Sequence, residues 1–133
     1  MSLLINSPAY YTQIHGMDED IYHMCRLLEK NIDLKKYTSL LDTIGITPII
    51  APISEISNGK WQEVKYISSL YRMASISLHI DYLDYISTID REKKIMLIVD
   101  NILNSLLAIK KHFKNGFDYE LIKKDILALV NNL

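Results

Sequence analysis

The chain has 133 residues, of which 49% are hydrophobic and 23% charged, with only four glycines and three prolines. This size and composition are typical of one globular domain and exclude a chain that is disordered throughout. The formal net charge of −1 excludes long-range attraction to DNA or to an anionic membrane, so any recognition must be local. We therefore predict a single domain over residues 1–133.

Cysteine content and apolar runs bear on the compartment. The single cysteine, Cys25, cannot form an internal disulfide, which is typical of a reducing compartment. Residues 1–8 have no positively charged start and no long apolar run, so we expect no signal peptide. The most apolar stretch, residues 95–109, is interrupted by Asp100, Asn101 and Asn104 and is too short for a membrane span. We predict a cytoplasmic protein with no membrane partner.

The first third of the chain favours a strand followed by two helices. Residues 9–14 are rich in strand formers. Asp18 can cap a helix that continues to about Lys30. The residues predicted to face inward on this helix are Ile21, Met24, Cys25 and Leu28. A second helix is expected to begin near Asp33 and to end at Gly45.

The middle of the chain favours extended structure. Pro48 and Pro52 restrict residues 45–52 to an edge strand or a loop. Residues 61–71 fit either a helix or a strand. Residues 73–81 alternate between apolar and polar side chains, as a strand with one wet face does. We predict two adjacent strands here.

The carboxyl-terminal third predicts an antiparallel helical hairpin. Apolar residues recur at helical spacing from Asp90 to Phe113 and again after Asp118, and both aspartates are suitable N-caps. Asn115 and Gly116 are expected to supply the left-handed residue that ends the first helix. The predicted fold class is therefore α+β: a small, largely antiparallel sheet packed by an N-terminal helix pair and a C-terminal helical hairpin.

Motifs for catalysis are missing from the sequence. It contains no Gly-rich phosphate loop, no nucleophile elbow and no His-Glu-x-x-His pair. His79, Asp81 and Asp84 could run acid/base chemistry or bind a cation, although a solvated strand face explains them more simply. His15 and His23 lack metal-ligand spacing, and Cys25 is expected to be a buried, inert thiol. We predict a protein that is not an enzyme and has no cofactor or metal.

Charge divides unevenly along the chain. Basic residues dominate the carboxyl-terminal hairpin: Arg91, Lys93, Lys94, Lys110, Lys111, Lys114, Lys123 and Lys124. They could serve a small nucleic-acid-binding regulator, but without interleaved aromatic residues a solvated helix surface is the simpler interpretation.

Acidic residues dominate before residue 60. Asp18, Glu19 and Asp20 stand at a helix start, where capping accounts for only one of them. The remaining negative charge, beside Tyr22 and His23, is suited to a basic partner surface. The single tryptophan Trp61, together with Tyr10 and Tyr11, could anchor an interface or fill the core.

Short segments distributed along the chain resemble the immunity proteins of bacterial polymorphic-toxin and contact-dependent growth inhibition systems, an Imm-type family of α+β proteins. The segments are Ser7-Pro-Ala-Tyr-Tyr11, Pro48-Ile-Ile-Ala-Pro52, Trp61-x-Glu63-x-Lys65, Ile80-Asp-Tyr82, Asn101-Ile-Leu-x-Ser105, Phe117-Asp-Tyr119 and Asp125-Ile-Leu127. The resemblance implies a cytoplasmic inhibitor that binds the C-terminal domain of a cognate toxin, often a nuclease.

The positive substrate cleft of a nuclease would accept an acidic plug. The residues expected to bind the toxin are Asp18, Glu19, Asp20, Tyr22, His23 and Trp61.

Overall fold

A computed structural model describes residues 2–6, 9–10, 19–57, 59 and 61–133. These residues form helices α1 Glu19–Asn31, α2 Ile53–Ser57, α3 Tyr82–Ser87, α4 Arg91–Phe113 and α5 Tyr119–Asn131. They also form strands β1 Ser2–Ile5, β2 Ala9–Tyr10, β3 Thr43–Ile46, β4 Ile49–Ala51, β5 Val64–Ser68, β6 Met73–Ser77 and β7 His79–Asp81. The mixed content of helix and strand confirms the α+β prediction at that level.

The predicted largely antiparallel sheet is wrong. One sheet has the order β1-β3-β6-β5 and a second has the order β2-β4-β7. All pairs in both sheets are parallel except β5 with β6. The antiparallel pair joins neighbours in sequence, whereas the parallel pairs are linked through helices or longer connections, as parallel strands require.

One inner strand of each sheet comes from a single stretch of chain, residues 43–51. Here the prediction of an edge strand or loop is wrong, because β3 lies between β1 and β6, and β4 lies between β2 and β7. Pro48 falls between β3 and β4, and Pro52 follows β4. A proline has no backbone N–H to donate to a ladder, so the two prolines stand where the strands stop.

The second predicted N-terminal helix is also wrong. The chain forms only a 3₁₀ turn at Leu34–Lys36, with the Asp33 side chain accepting from the backbone N–H of Lys35, and then enters β3. Leu34, Leu41 and Ile44 are fully buried nonetheless. The apolar pattern of this segment therefore predicts correctly that these side chains are buried, but it predicts the wrong backbone conformation.

Helices α1 and α4 pack on the four-stranded sheet, and α5 packs on α1 and α4. The residues predicted to face inward on α1 are all buried, and they share one core cluster with Ile44, Ile76 and the apolar stripe of α4. Among the described helices, none has the length and apolar character needed to cross a membrane.

The helical hairpin is confirmed, with one correction at its turn. Asp90 and Asp118 accept hydrogen bonds from the backbone N–H groups of Lys93 and Leu121, as N-caps do. The left-handed residue after α4 is Lys114, with φ of 56°, rather than Asn115 or Gly116. Gly116 serves close packing instead, because a Cβ there would lie 2.2 Å from Leu40 Cδ1.

The described strand residues place no charged side chain on the face of the four-stranded sheet opposite the core. Alternate residues of a strand share a face, and the strand register places on this one Ser2, Leu4, Thr43, Gly45, Met73, Ser75, Ser77, Val64, Tyr66 and Ser68. A Cβ on Gly45 would meet only the Ala74 carbonyl oxygen, at 3.9 Å.

Replacing Gly45 with alanine is therefore expected to raise the free energy of unfolding by about 0.5–1 kcal/mol, because glycine inside a strand loses more backbone entropy on folding. Urea unfolding measures the change. Gly59→Ala is the matched control and should destabilise, since Gly59 has φ of +81°. A loss of stability in Gly45→Ala would favour the helix-end role predicted from sequence.

Candidate functional site

The exposed end of α1 carries most of the residues predicted to bind a partner. Glu19 Oε1 lies 3.4 Å from His23 Nε2. The rings of Tyr22 and His23 stand edge to face with their centroids 5.6 Å apart. The Arg26 guanidinium lies 5.2 Å from the centre of the Tyr22 ring, whose residue is 43% exposed. These side chains form one mixed polar and aromatic surface, which we call the α1 surface. Asp18 lies outside the described residues.

Asp20 does not contribute a free charge to the α1 surface. Its Oδ2 accepts a hydrogen bond from Arg91 Nε at 2.6 Å. This hydrogen bond from the Arg91 guanidinium holds the pKa of the Asp20 carboxyl below its usual range. The pair closes one side of a cleft of about 310 Å³ between α1 and α4, which Glu19 and Lys94 also line. Two acids and two bases balance there, so the α1 surface is less acidic than the sequence predicts.

Trp61 lies apart from the α1 surface. It occupies the loop between α2 and β5, where its backbone N–H donates to the Glu55 carbonyl at 3.1 Å and its side chain is half-buried. Helix α1 packs mainly on β1, α4 and α5. The structure therefore brings together Glu19, Tyr22 and His23, and leaves Trp61 elsewhere.

A second cleft, of about 360 Å³, collects the residues considered for an enzyme. His79, Asp81 and Asp84 line it together with Glu63 from the strand-entry loop and Asp100 from α4. Glu63 Oε2 accepts from the His79 backbone N–H at 2.9 Å and lies 3.3 Å from His79 Nδ1. We call this feature the acidic cleft. Within the described part of the chain, no group of three histidine, cysteine or acidic side chains is placed to hold a metal ion.

Sequence reasoning missed Glu63, Asp100 and Asn101 as members of the acidic cleft. The available signal was the break in the apolar run of α4, where polar side chains at residues 100, 101 and 104 share one side of a helix. That break argues against a membrane span, but it also marks a face that meets something polar.

The basic residues of the hairpin are spread along its length. Lys94 and Lys110 are separated by about 24 Å along α4, at 1.5 Å per residue. Some of the basic groups are engaged: Arg91 pairs with Asp20, and the Lys94 ammonium lies 4.6 Å from the centre of the Tyr85 ring. This distribution does not favour the nucleic-acid-binding alternative, which needs a continuous positive face.

Cys25 is buried, as predicted. Its pKa is raised from 9.0 to about 11 by burial, with a smaller opposing effect of the Arg26 charge. A thiol needs the opposite shift to act as a nucleophile near neutral pH. The side chain therefore packs in the core. His15 lies outside the described residues.

Comparison with known proteins gives the class of the chain. The model of an immunity-protein family matches residues 1–132, so the protein is an immunity protein. That family is described as Immunity protein 44, or Imm44, and the chain belongs to it. The resemblance found in the sequence is confirmed, and the family implies a toxin protein as partner. No curated protein and no solved structure matches the chain.

Proposed function

We propose that this protein binds and neutralises a cognate toxin domain in the cytoplasm of the cell that produces the toxin, as part of a polymorphic-toxin or contact-dependent growth inhibition system. The observation that carries the proposal is the family match over residues 1–132. Inhibition by binding, without catalysis or a cofactor, agrees with the missing catalytic motifs.

For the toxin we propose a nuclease. A nuclease has a positive substrate cleft, and a protein that blocks it gains association rate from complementary negative charge. The proposed contact on the immunity protein is the α1 surface with Asp18, Asp20 and, from its separate loop, Trp61. Glu19 contributes an exposed carboxylate, since 87% of its side chain is accessible.

Tyrosine at the centre of the α1 surface suits this role. Its ring offers a large contact area with few rotatable bonds, and such residues often carry interface energy. The Arg26 guanidinium and the His23 ring already support the Tyr22 ring. The Tyr22 side chain would therefore lose little conformational freedom when the toxin binds.

The test uses the toxin domain encoded directly upstream of this gene, purified and mixed with the immunity protein. We expect binding in calorimetry and, with equimolar immunity protein, loss of the toxin's nuclease activity. Absence of binding would contradict the proposed function.

The double variant Asp18→Lys/Glu19→Lys tests the α1 surface and leaves the Asp20–Arg91 pair intact. We expect about tenfold weaker binding with a smaller dependence on salt, because close like charges replace attraction. Glu92→Lys/Glu120→Lys, which reverses two exposed charges in the first turns of α4 and α5, is the matched control and should bind as the wild type does. Unchanged binding of the double variant would place the interface elsewhere.

A further inference from the structure

The acidic cleft lies between β7, the start of α3 and the middle of α4. Four carboxylates line it, those of Glu63, Asp81, Asp84 and Asp100. Within the part of the chain that the structure describes, no lysine or arginine lines it. The cleft beside Asp20 differs from this one, because its acidic and basic side chains balance. Here the negative charge is concentrated.

Three of these carboxylates have no partner of their own among the described residues. Asp81 precedes α3, but its side chain makes no capping hydrogen bond. Asp84 accepts hydrogen bonds only through its backbone carbonyl, from Ser87 and Thr88. Asp100 is exposed on α4, and among the described residues no hydrogen bond or ion pair joins its carboxylate to another side chain, although its charge helps to raise the pKa of Tyr119. Like charges gathered in one concave surface repel each other, and a bound cation would relieve that repulsion.

The buried side of the cleft carries a hydrogen-bond acceptor without a donor. Asn101 is 5% exposed, and its Nδ2 donates to the Leu78 carbonyl oxygen at 2.8 Å. Its Oδ1 is buried and has no hydrogen-bond partner. Buried polar atoms are nearly always satisfied, so this acceptor beside the cleft lacks a donor, which a water molecule or a ligand that rotates the side chain toward the cleft would supply.

The four carboxylates favour a ligand that combines positive charge with several N–H donors. A guanidinium does so, with five N–H groups in a planar fork that matches carboxylate and amide oxygens. A metal ion fits less well, because no three acidic, histidine or cysteine groups within the described ranges are placed to hold one.

We propose that the acidic cleft receives an arginine side chain of the toxin, a partner that rests on the function proposed above. An arginine held there by the exposed carboxylates of Asp84 and Asp100 can no longer contact a phosphate of the nucleic acid. The cleft would then contribute to inhibition as well as to affinity, at a place separate from the α1 surface.

The first test compares toxin binding by the double variant Asp84→Asn/Asp100→Asn with that by Glu92→Gln/Glu120→Gln. Both remove two exposed charges from helices, but only the first pair lies in the cleft. We expect the cleft variant to bind about tenfold more weakly, as for the loss of desolvated charge pairs, and the control to stay within about twofold of the wild type.

A double-mutant cycle then locates the arginine. Each arginine of the toxin domain is changed to alanine in turn and combined with the cleft variant. One of them should weaken binding to the wild type and leave binding to the cleft variant unchanged, because the interaction is already lost. Additive effects for every arginine would overturn the proposal.

A second test does not depend on the toxin. The probe is the blocked tripeptide Gly-Arg-Gly, with Gly-citrulline-Gly as an uncharged control of the same shape. In nuclear magnetic resonance spectra, the arginine peptide should shift the side-chain amide signals of Asn101 in a saturable manner, and the citrulline peptide should not. Equal effects of both peptides, or none, would exclude an arginine site.

The outcomes separate the two proposals. If the wild type binds the toxin and the cleft variant binds equally well, the arginine site is wrong and the immunity function stands. If the wild type does not bind the toxin, the proposed function and the toxin as the source of the arginine both fail, and the tripeptides decide whether the cleft recognises a guanidinium.

Discussion

Replacing Phe117 with alanine is expected to lower the free energy of unfolding by about 3–5 kcal/mol, the range for buried aromatic side chains. Phe117 is 1% exposed and belongs to the core cluster, although it lies in the turn between α4 and α5. Beside it, the Asp118 backbone N–H donates to the Tyr37 carbonyl at 2.9 Å. The hairpin turn is thus held by a buried ring and by a backbone hydrogen bond to the segment before β3.

Urea unfolding followed by circular dichroism measures the effect. Phe113→Ala is the matched control, since it removes the only other phenylalanine, which is partly buried at the end of α4. We expect Phe113→Ala to cost clearly less than Phe117→Ala, because less of its surface leaves water on folding. Equal losses, or a loss below about 1 kcal/mol for Phe117→Ala, would mean that the turn is not part of the core.

The longer helices follow from the sequence because their signals are local. Apolar residues at a period of 3.6 identify α1, α4 and α5. An aspartate precedes α4 and another precedes α5, and the side chain of each accepts a hydrogen bond from a backbone N–H of the first turn. The two adjacent strands are confirmed as β5 and β6, although residues 61–71 also fit a helix. Each of these features is determined by residues that are close together in the sequence. The single strand predicted over residues 73–81 is wrong, because the chain divides there into β6 and β7, which belong to different sheets.

The direction of strand pairing does not follow in the same way. Leu3 pairs with Ile44, and Ile44 pairs with Ala74, so each parallel pair joins residues far apart in sequence. Strand β3 has four residues and β4 has three, which is too few for a period to show. With Leu34 and Leu41 buried nearby, the same apolar residues also fit a helix.

The candidate surfaces show the same division. The sequence places Glu19, Tyr22 and His23 on one helix, which the structure confirms. The sequence cannot show that the Asp20 carboxylate is paired with a cation, because its partner Arg91 lies 71 residues further along the chain. The side chains of the acidic cleft come from a loop, a strand and two helices. Only His79, Asp81 and Asp84, which are close together in the sequence, can be predicted as a group from it.

Alkaline pH is expected to destabilise the protein through Cys25. Burial raises the pKa of this thiol from 9.0 to about 11, so between these values the unfolded chain loses its proton while the folded chain keeps it. Stability then falls as pH rises. The neutral thiol's contribution is complete below pH 9, and its loss amounts to about 2–3 kcal/mol by pH 11, at 1.36 kcal/mol for each pKa unit.

The variant Cys25→Ala isolates this effect when unfolding by urea is measured at several pH values from 8 to 11. Tyr37 and Tyr119 also have raised pKa values, chiefly through burial, and they lower stability above pH 10 in both proteins alike. The difference between wild type and variant therefore reports Cys25 alone. We expect the wild type to lose stability more steeply than Cys25→Ala from pH 9 upward. Parallel curves would show that the thiol ionises as freely in the folded protein as in the unfolded chain, and that α1 does not pack its inner face on the core.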